Sequence, residues 1–145
     1  INIIHKNQNI KFDFYDLDKK QPIWWYNFKN IWSTSKMGLT LSRWKPIKYY
    51  ISDRITQLMG NGLMTFIDEK THYSDFFSSK ELFTYKNYSD LVEKINKYKR
   101  NEKDRKEIAK NGKLKYLKFF NSSKVAKFIL NKTYQINDKE NFLWS

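Results

Sequence analysis

Cysteine is absent from the chain, which excludes disulfide bonds and thiolate metal sites. Histidine is scarce: His5 and His72 lie far apart in sequence, so we expect no zinc centre. The sequence also lacks a Gly-rich phosphate loop of the G-x-G-x-x-G or Walker type, and any Ser–His–Asp or Cys–His arrangement that would indicate a nucleophile. No stretch approaches the roughly 20 consecutive apolar residues of a membrane span, and the first residues lack a signal-peptide pattern.

What the chain does have is the size and apolar content of one folded unit. Its 145 residues are 40% hydrophobic and 18% aromatic, which favours a globular core over disorder. We expect this unit to cover residues 1–134, followed by an exposed tail at residues 135–145, in which Phe142, Leu143 and Trp144 could dock. Since the sequence begins at Ile1, in what reads as the end of a helix, we also expect the chain to be a fragment of a longer protein.

The charge is strongly one-sided, because 28 Lys and Arg residues against 15 Asp and Glu give a net charge of +13. Such a surplus is compatible with nucleic acid, an anionic membrane surface or an anionic small ligand as a partner. A biased composition is an equally good explanation, since the heavily used Lys, Asn, Ile, Tyr and Phe all have AT-rich codons. The net charge alone therefore does not select a function.

Apolar patterns predict strands that alternate with helices. Strands are expected at residues 10–15, 36–41, 63–67 and 82–85, with 36–41 as a buried central strand. Helices are expected at residues 24–35, from Ser52 or Asp53 to Gly60, around 73–78, after a cap at Ser89, from Asn101 to about 120, and after 121–123 with Val125, Ile129 and Leu130. This order predicts an α/β fold with a mainly parallel sheet. Such sheets bind ligands at the carboxyl ends of their strands.

The loop after residues 36–41 and the start of the following helix are rich in basic side chains. Against the single acid Asp53, this segment carries four bases within twelve positions: Arg43, Lys45, Lys48 and Arg54. A helix N-terminus with free N–H groups and adjacent Arg and Lys suits a phosphate or diphosphate. Residues 42–62 are therefore a candidate anion site, although a solvated loop followed by an ordinary helix cap would have the same composition.

Polar, aromatic and glycine residues extend this candidate site. They are Ser42 and Ser52 as hydroxyl donors, Trp44, Tyr49 and Tyr50 as stacking residues, and Gly60, Asn61 and Gly62 as a turn through which the backbone approaches a ligand.

Two stretches here, SKMGLTLSR at residues 35–43 and SDRITQLMGNG at residues 52–62, resemble glycosyltransferases of the GT-B class. More narrowly, they are similar to the C-terminal domain of the "glycosyl transferases group 1" type of bacterial envelope-sugar and spore-coat-type enzymes. Residues 83–91 resemble the family's strand and Asp-Leu helix start, and RKEIAKNG at residues 105–112 is similar to its R-x-x-I-A-x-x-G helix. The resemblance covers roughly residues 10–133 and implies a Rossmann-like three-layer domain with a small sheet and C-terminal helices, the C-terminal half of a GT-B fold.

In that family this half binds the nucleotide-sugar donor, and the resemblance implies roles for residues of the candidate site. The donor diphosphate would be held by Ser42, Arg43, Lys48, Ser52, Asp53 and Arg54. The ribose and base would contact Gln57, Tyr49 and Tyr50, and the backbone would approach the donor at Gly60, Asn61 and Gly62. Gln57 stands where the family has a ribose-binding glutamate, and Tyr49 stands where it has an acid. No catalytic residue is identified.

The resemblance implies a hexosyltransferase-like enzyme that moves a sugar from a nucleoside-diphosphate sugar to an acceptor hydroxyl, in cell-envelope polysaccharide or glycoconjugate synthesis. No cofactor and no metal are expected, since Arg, Lys and a helix N-terminus can stabilise the leaving diphosphate. The acceptor would be bound by a missing N-terminal domain, so the chain alone would bind donor weakly and be inactive. We expect it in the cytoplasm, or peripheral at an anionic inner membrane face.

A basic nucleic-acid-binding α/β module without catalysis is the alternative, because Tyr, Phe and Trp are interleaved with the basic residues. Against nucleic acid, the lysines between Lys94 and Lys127 are mixed with acids and read mostly as a solvated face with i,i+4 pairs. Trp24, Trp25 and Trp32 lie at helical spacing and indicate a core or inter-domain contact; if exposed, this aromatic surface would favour self-association.

Overall fold

The computed structural model describes residues 10–13, 26–41, 45–50, 52–137, 140 and 142–144. Some of the predicted features lie outside the described residues. These are the helix end at residues 1–9, the last two residues of the strand at 10–15, Trp24 and Trp25, and the loop residues Ser42, Arg43 and Trp44.

A three-stranded, entirely parallel sheet forms the centre of the fold. Its strands are β1 (Met37–Leu39), β2 (Met64–Asp68) and β3 (Phe83–Tyr85), in the order β1-β2-β3. Met37 lies opposite Met64, and Phe66 lies opposite both Leu39 and Phe83. The first four residues of β2 are buried, because this strand has a neighbour on each side and is covered on both faces.

Two predicted strands differ from the structure. The sequence pattern predicts β1 as a buried central strand, but β1 lies at the edge of the described sheet and is only half-buried. A short apolar run identifies a strand without indicating how many neighbours it has. The strand predicted at residues 10–15 is not formed in its described part, residues 10–13. Ile10 and Phe12 instead pack, partly buried, against the core. The alternation of apolar and polar residues therefore indicates a half-buried segment here and not a strand.

Five α-helices accompany the sheet in the described residues. They are α1 (Tyr26–Thr34), α2 (Asp53–Gly60), α3 (Tyr88–Arg100), α4 (Glu102–Phe119) and α5 (Ser122–Thr133). The short helix predicted near residues 73–78 is replaced by two 3₁₀ turns, Glu69–Thr71 and Tyr73–Asp75. Compared with the thickness of a bilayer, none of the described helices combines the necessary length with a sufficiently apolar sequence.

Asparagine caps determine three of the helix starts, those of α3, α4 and α5. Asn101 accepts a hydrogen bond from the Asp104 N–H at 3.1 Å, which confirms the predicted start of α4. The predicted cap at Ser89 is wrong, because Asn87 accepts from the Asp90 N–H at 3.0 Å and α3 begins earlier. Asn caps a helix at least as well as Ser does, so the Asn-x-x-Asp spacing was the better guide.

Two hydrophobic clusters cover the two faces of the sheet. The side chains of β2 alternate between them, with Met64 and Phe66 in the first cluster and Ile67 in the second. The first cluster also contains residues of α3 and α4: Leu91, Ile95, Tyr98, Ile108 and Ala109. The second contains residues of α2, α4 and the connection to β3: Ile55, Met59, Tyr73, Phe77, Leu82 and Tyr116. The fold is therefore α/β and Rossmann-like, which confirms the predicted fold class.

The RKEIAKNG stretch of α4 has a structural role. Arg105 and Gly112, at its two ends, both lie on the buried face of the helix. The Arg105 side chain donates from Nη1 to the Tyr98 carbonyl oxygen at 3.0 Å, near the C-terminal end of α3. A Cβ at Gly112 would collide with the Glu81 carbonyl oxygen, so glycine lets α4 lie against the segment before β3.

The end of the chain docks onto α5. Phe142 is buried, and the rings of Phe142 and Trp144 lie 5.1 and 5.8 Å from the ring of Phe128, centroid to centroid. Trp144 also lies 5.1 Å from Phe120. Of the two expectations for the tail, docking is therefore the one that the structure shows for Phe142 and Trp144.

Candidate functional site

The loop between β1 and α2 lies at the carboxyl edge of the sheet. All three strands are parallel, so the chain leaves each of them at this same edge. Thr40, the first residue after β1, is buried and donates its N–H to the Phe66 carbonyl oxygen at 2.9 Å. The described part of the loop comprises residues 40, 41 and 45–50, and α2 begins at Asp53. The loop thus occupies the position at which parallel α/β sheets bind ligands.

Arg54 connects the first turn of α2 to the end of β1. Its Nη1 donates a hydrogen bond to the Leu41 carbonyl oxygen at 2.8 Å. A guanidinium has five N–H donors, and this bond occupies one of them while the residue stays exposed. Arg54 is therefore held at the carboxyl edge and keeps donors that an anion could accept from.

The N-terminus of α2 faces the same edge. Ser52 caps the helix in an extended conformation, with φ −98° and ψ 164°, and its side chain makes no capping hydrogen bond. The first N–H groups of a helix lack intrahelical acceptors and carry the positive end of the helix dipole. An anion here would therefore meet backbone N–H groups, the Ser52 hydroxyl and the Arg54 guanidinium.

Tyr49 holds the loop after β1 against the segment after β2. Its φ of 60° is left-handed, which costs a non-glycine residue about 1 kcal/mol. Contacts with the neighbouring segment offset this cost: its N–H donates to the Thr71 carbonyl oxygen at 2.9 Å and its hydroxyl to Asp75 Oδ2 at 2.7 Å. The ring lies 5.0 Å from that of Phe76. These contacts make Tyr49 an anchor of the loop, and its expected contact with ribose or base stays a prediction.

The two neighbours of Tyr49 are open to solvent. Lys48 is exposed, with Nζ 4.8 Å from the centroid of the Tyr49 ring, and Tyr50 is 55% exposed. A lysine and an aromatic ring beside a helix N-terminus are the groups that can contact a phosphate and a base. The anchoring of Tyr49 therefore presents Lys48 and Tyr50 at the carboxyl edge.

Gln57 and Asp53 take different positions around Arg54. Gln57 follows Arg54 by three residues, so it lies on the same side of α2 but one turn further from the carboxyl edge, where it is half-buried. Asp53 lies in the first turn, where a carboxylate interacts favourably with the helix dipole. Burial raises the pKa of Tyr116, and the nearby Asp53 carboxylate adds to that rise. Because a carboxylate accepts hydrogen bonds and donates none, Asp53 can contribute to an anion site only through its backbone N–H.

Gly60, Asn61 and Gly62 lie at the opposite edge of the sheet. α2 runs back from the carboxyl edge, and its eight residues span about 12 Å. Gly62, with φ 76°, ends the turn just before β2 begins at Met64. The structure therefore does not bring these three residues to the edge where Arg54 lies, and they cannot provide a close backbone approach to a ligand there. Ser42 and Arg43 belong to the same loop in sequence but lie outside the described residues.

Two side chains that the sequence argument omits also lie at the carboxyl edge. Asp68 ends β2 and lies opposite Tyr85, the last residue of β3. Burial, with a further contribution from the Asp68 carboxylate, raises the pKa of Tyr85 to about 12, so this phenol stays protonated at neutral pH. The Asp68 carboxylate also accepts from the Lys70 N–H at 2.9 Å. These two residues could have been found from the sequence, because they lie at the ends of predicted strands.

A shallow cleft of about 430 Å³ lies elsewhere, before the amino end of β3. It is lined by Ser78, Lys80, Glu81, Asn111, Leu114, Lys115, Lys118 and Phe119. Lys115 Nζ and Glu81 Oε2 form an ion pair in it at 2.9 Å. Within the described part of the chain, no group of three or more His, Asp or Glu side chains is placed to hold a metal ion.

Comparison with known families identifies one matching family. A family model for glycosyl transferase-like proteins matches residues 6–131 of the 145. Comparisons with curated proteins and with solved structures give no significant match. The family match includes the whole sheet, the candidate site and the RKEIAKNG helix. Since it covers most of the sequence, the chain belongs to the glycosyl transferase-like family.

Proposed function

We propose that this chain binds the nucleoside-diphosphate-sugar donor of a GT-B-class glycosyltransferase at the carboxyl edge of its sheet. The observation that carries the proposal is Arg54, which is bonded to the Leu41 carbonyl oxygen beside a helix N-terminus whose cap residue makes no side-chain capping bond. A guanidinium and the positive end of a helix dipole thus converge on one position. Membership of the family independently supports glycosyl transfer as the reaction.

The donor diphosphate is the part of the ligand that this site suits. It would accept hydrogen bonds from the N–H groups of the first turn of α2, from the Ser52 hydroxyl and from Arg54, with Lys48 approaching from the loop. Ser42 and Arg43 belong to the proposal through their sequence position directly after Leu41.

The chemistry needs stabilisation of a leaving group. The bond between the anomeric carbon of the sugar and the diphosphate breaks, a bond from that carbon to the acceptor oxygen forms, and the acceptor proton passes to a base. Negative charge grows on the diphosphate, where Arg54 and Lys48 would stabilise it. Losing one donor at such a position typically lowers the rate by about 10²–10³-fold. We assign acceptor binding and the base to a second domain, and the proposed reaction uses no metal or cofactor.

Gln57 and Tyr50 are the proposed contacts for the ribose and the base. The Gln57 amide can both donate to and accept from ribose hydroxyls, and the exposed ring of Tyr50 can stack on a base. Tyr49 would act by positioning this loop through Thr71 and Asp75. An acceptor from cell-envelope polysaccharide or glycoconjugate synthesis is suggested by the sequence resemblance alone.

Isothermal titration calorimetry with UDP, GDP, ADP and their sugars tests the proposal. Arg54→Ala should remove charge-assisted hydrogen bonds of about 1.5–3 kcal/mol and so raise Kd by about 10- to 150-fold. The matched control is Arg100→Ala, which removes the same charge from an exposed position at the end of α3. It should leave Kd within about twofold.

Since Arg54 also bonds to Leu41, the Tm of each variant is measured to separate loss of binding from loss of fold. Equal Kd values for Arg54→Ala and Arg100→Ala would contradict the proposed placement of the diphosphate. Absence of binding to every nucleotide would contradict the donor proposal itself. Tight, salt-sensitive binding to random single-stranded DNA in place of nucleotides would instead favour a nucleic-acid-binding module.

A further inference from the structure

α5 has two faces of different surroundings. The inward face carries Phe128, which packs against Phe142 and Trp144. At about 3.6 residues per turn, the outward face is formed by Ala126, Ile129 and Leu130, about 100–160° around the helix from Phe128, with Val125 at its border, about 60° from Phe128. Of these, Val125, Ile129 and Leu130 are 38%, 56% and 51% exposed. Tyr134 and Ile136, which follow the helix, are more than half exposed as well. Within the described residues, α5 therefore presents an apolar face to solvent.

The sequence that leads up to and through this face contains lysines but no acids, although Glu140, just beyond it, pairs with two of these lysines. Residues 108–137 include seven lysines and neither Asp nor Glu: Lys110, Lys113, Lys115, Lys118, Lys124, Lys127 and Lys132. The preceding residues 68–107 contain nine acids against ten Lys and Arg. A uniform codon bias would raise the lysine content throughout and would not remove the acids from one segment. The positive charge is thus concentrated where the apolar face lies.

Two lysines flank the outward face directly. In the helical projection, Lys132 lies next to Val125 on one side, with its Nζ 5.6 Å from the centroid of the Phe128 ring, and Lys127 lies next to Leu130 on the other. Glu140 pairs with Lys124 and Lys127, at 2.9 and 2.7 Å, from the docked side of the helix. Almost half of the Lys127 side chain nevertheless remains exposed, and lysine stems are long enough to carry the amine toward a charged surface.

We propose that the outward face of α5 binds an anionic membrane surface. Helices that lie in a membrane interface place an apolar face among the lipid chains, while lysines at its borders contact anionic headgroups. Both halves of this pattern are present in α5 and its flanking sequence. A nucleic acid would be attracted by the lysines, but its phosphate backbone would not bury the apolar side chains at the centre of the face. A protein interface would use the apolar centre but does not require a segment free of acids.

Vesicle co-sedimentation tests this surface with the full chain. Binding is expected to vesicles that contain phosphatidylglycerol, to be weaker at high salt, and to be at least about tenfold weaker to pure phosphatidylcholine. The double variant Ile129→Asn, Leu130→Asn should bind at least about tenfold more weakly than the wild type. Its control, Ile129→Leu, Leu130→Ile, keeps the face apolar and should bind like the wild type. Because Ile129 and Leu130 are more than half exposed, the Tm of both variants should stay within about 4 °C.

A second pair of variants tests the charge. Lys127→Gln with Lys132→Gln should weaken binding by about fivefold for each lysine. Lys29→Gln with Lys103→Gln changes the net charge equally at exposed positions on α1 and at the start of α4, and should have little effect. Several results would overturn the proposal: no vesicle binding, equal binding to neutral vesicles, equal effects of the two lysine pairs, or unchanged binding of the asparagine variant. Self-association of the wild type that the asparagine variant abolishes, without vesicle binding, would identify the face as a protein interface.

Discussion

Two glycines should respond in opposite directions to substitution by alanine. Gly112 lies within α4, and Gly60 is the last residue of α2. Helix propensity alone predicts that alanine stabilises either position by up to about 1 kcal/mol. The surroundings differ, because a Cβ at Gly112 would collide with the Glu81 carbonyl oxygen and lie 3.0 Å from Met59 Cε. Among the described residues, nothing lies within 4 Å of a Cβ built at Gly60.

The magnitude follows from which atom is in the way. The Met59 side chain can rotate, but the Glu81 carbonyl belongs to the backbone, so α4 or the segment before β3 must move. Overpacking of this kind costs about 1–3 kcal/mol, and a collision with backbone lies at the upper end of that range. After the gain in helix propensity, Gly112→Ala should be less stable by about 2 kcal/mol, which lowers Tm by about 4–8 °C.

Urea unfolding followed by tryptophan fluorescence and far-UV circular dichroism measures the two variants side by side. Gly60→Ala should be more stable than the wild type by about 0.5 kcal/mol, with an unchanged m-value. A Gly112→Ala variant as stable as the wild type, or more stable, would refute the close approach of α4 to Glu81. It would also remove the structural explanation for the glycine of the RKEIAKNG stretch.

Two further predictions concern polar groups of α4, the buried Arg105 and the half-buried Lys115. Arg105→Met leaves the Tyr98 carbonyl oxygen without its donor and should lower the free energy of unfolding by about 1–3 kcal/mol; Lys106→Met, at the exposed next position, should change it by less than about 0.5 kcal/mol in the same urea titration. Burial acts to raise the pKa of Glu81, but hydrogen bonds, the largest from Lys115, outweigh it and lower this pKa below 4.5. The folded pKa is thus lower than the unfolded one, so Glu81 contributes stability at neutral pH that is lost as the pH falls through the folded pKa. Lys115→Met should therefore destabilise the protein more at neutral pH than well below pH 4.5, and an equal loss at both would contradict the pairing.

The order of strands and helices could be predicted because several local signals agree. Residues 63–67 form an apolar run long enough for one buried strand, and the structure has β2 there. Asn101 and Asp104 form a recognisable cap for α4. Such signals depend on a few neighbouring residues, so the alternation of strands and helices, and with it the fold class, is readable from the sequence.

Composition did not indicate that the residues of the candidate site are divided between the two edges of the sheet. Residues 42–62 form one segment rich in bases, serines and glycines. Within it, α2 runs from the carboxyl edge of the sheet to the amino edge, so Arg54 and Gly60 lie at opposite ends of this helix. The parallel topology requires this separation, since a crossover helix returns the chain to the edge where the next strand begins. The role of Tyr49 could not be predicted either, because it depends on a left-handed φ and on Asp75 and Thr71, which are distant in sequence.

The faces of α5 show the same limit. Val125, Ile129 and Leu130 have the spacing of a core face, yet the structure leaves them exposed. The inward face is decided by Phe142 and Trp144, which pack against Phe128 from beyond the end of the helix. Helical spacing identifies which residues share a face, whereas the burial of that face depends on contacts that are distant in sequence.

The central claim, a donor diphosphate bound at the carboxyl edge, is tested most directly by locating the nucleotide. Amide NMR spectra recorded during titration with UDP, GDP or ADP detect even weak binding and assign it to residues. The account predicts that the largest shifts occur at Lys48, Tyr50, residues 52–54 and Gln57, while the amides of residues 60–62 at the opposite edge stay in place. Largest shifts at residues 60–62 or along α4 and α5, or no shift with any nucleotide, would contradict it.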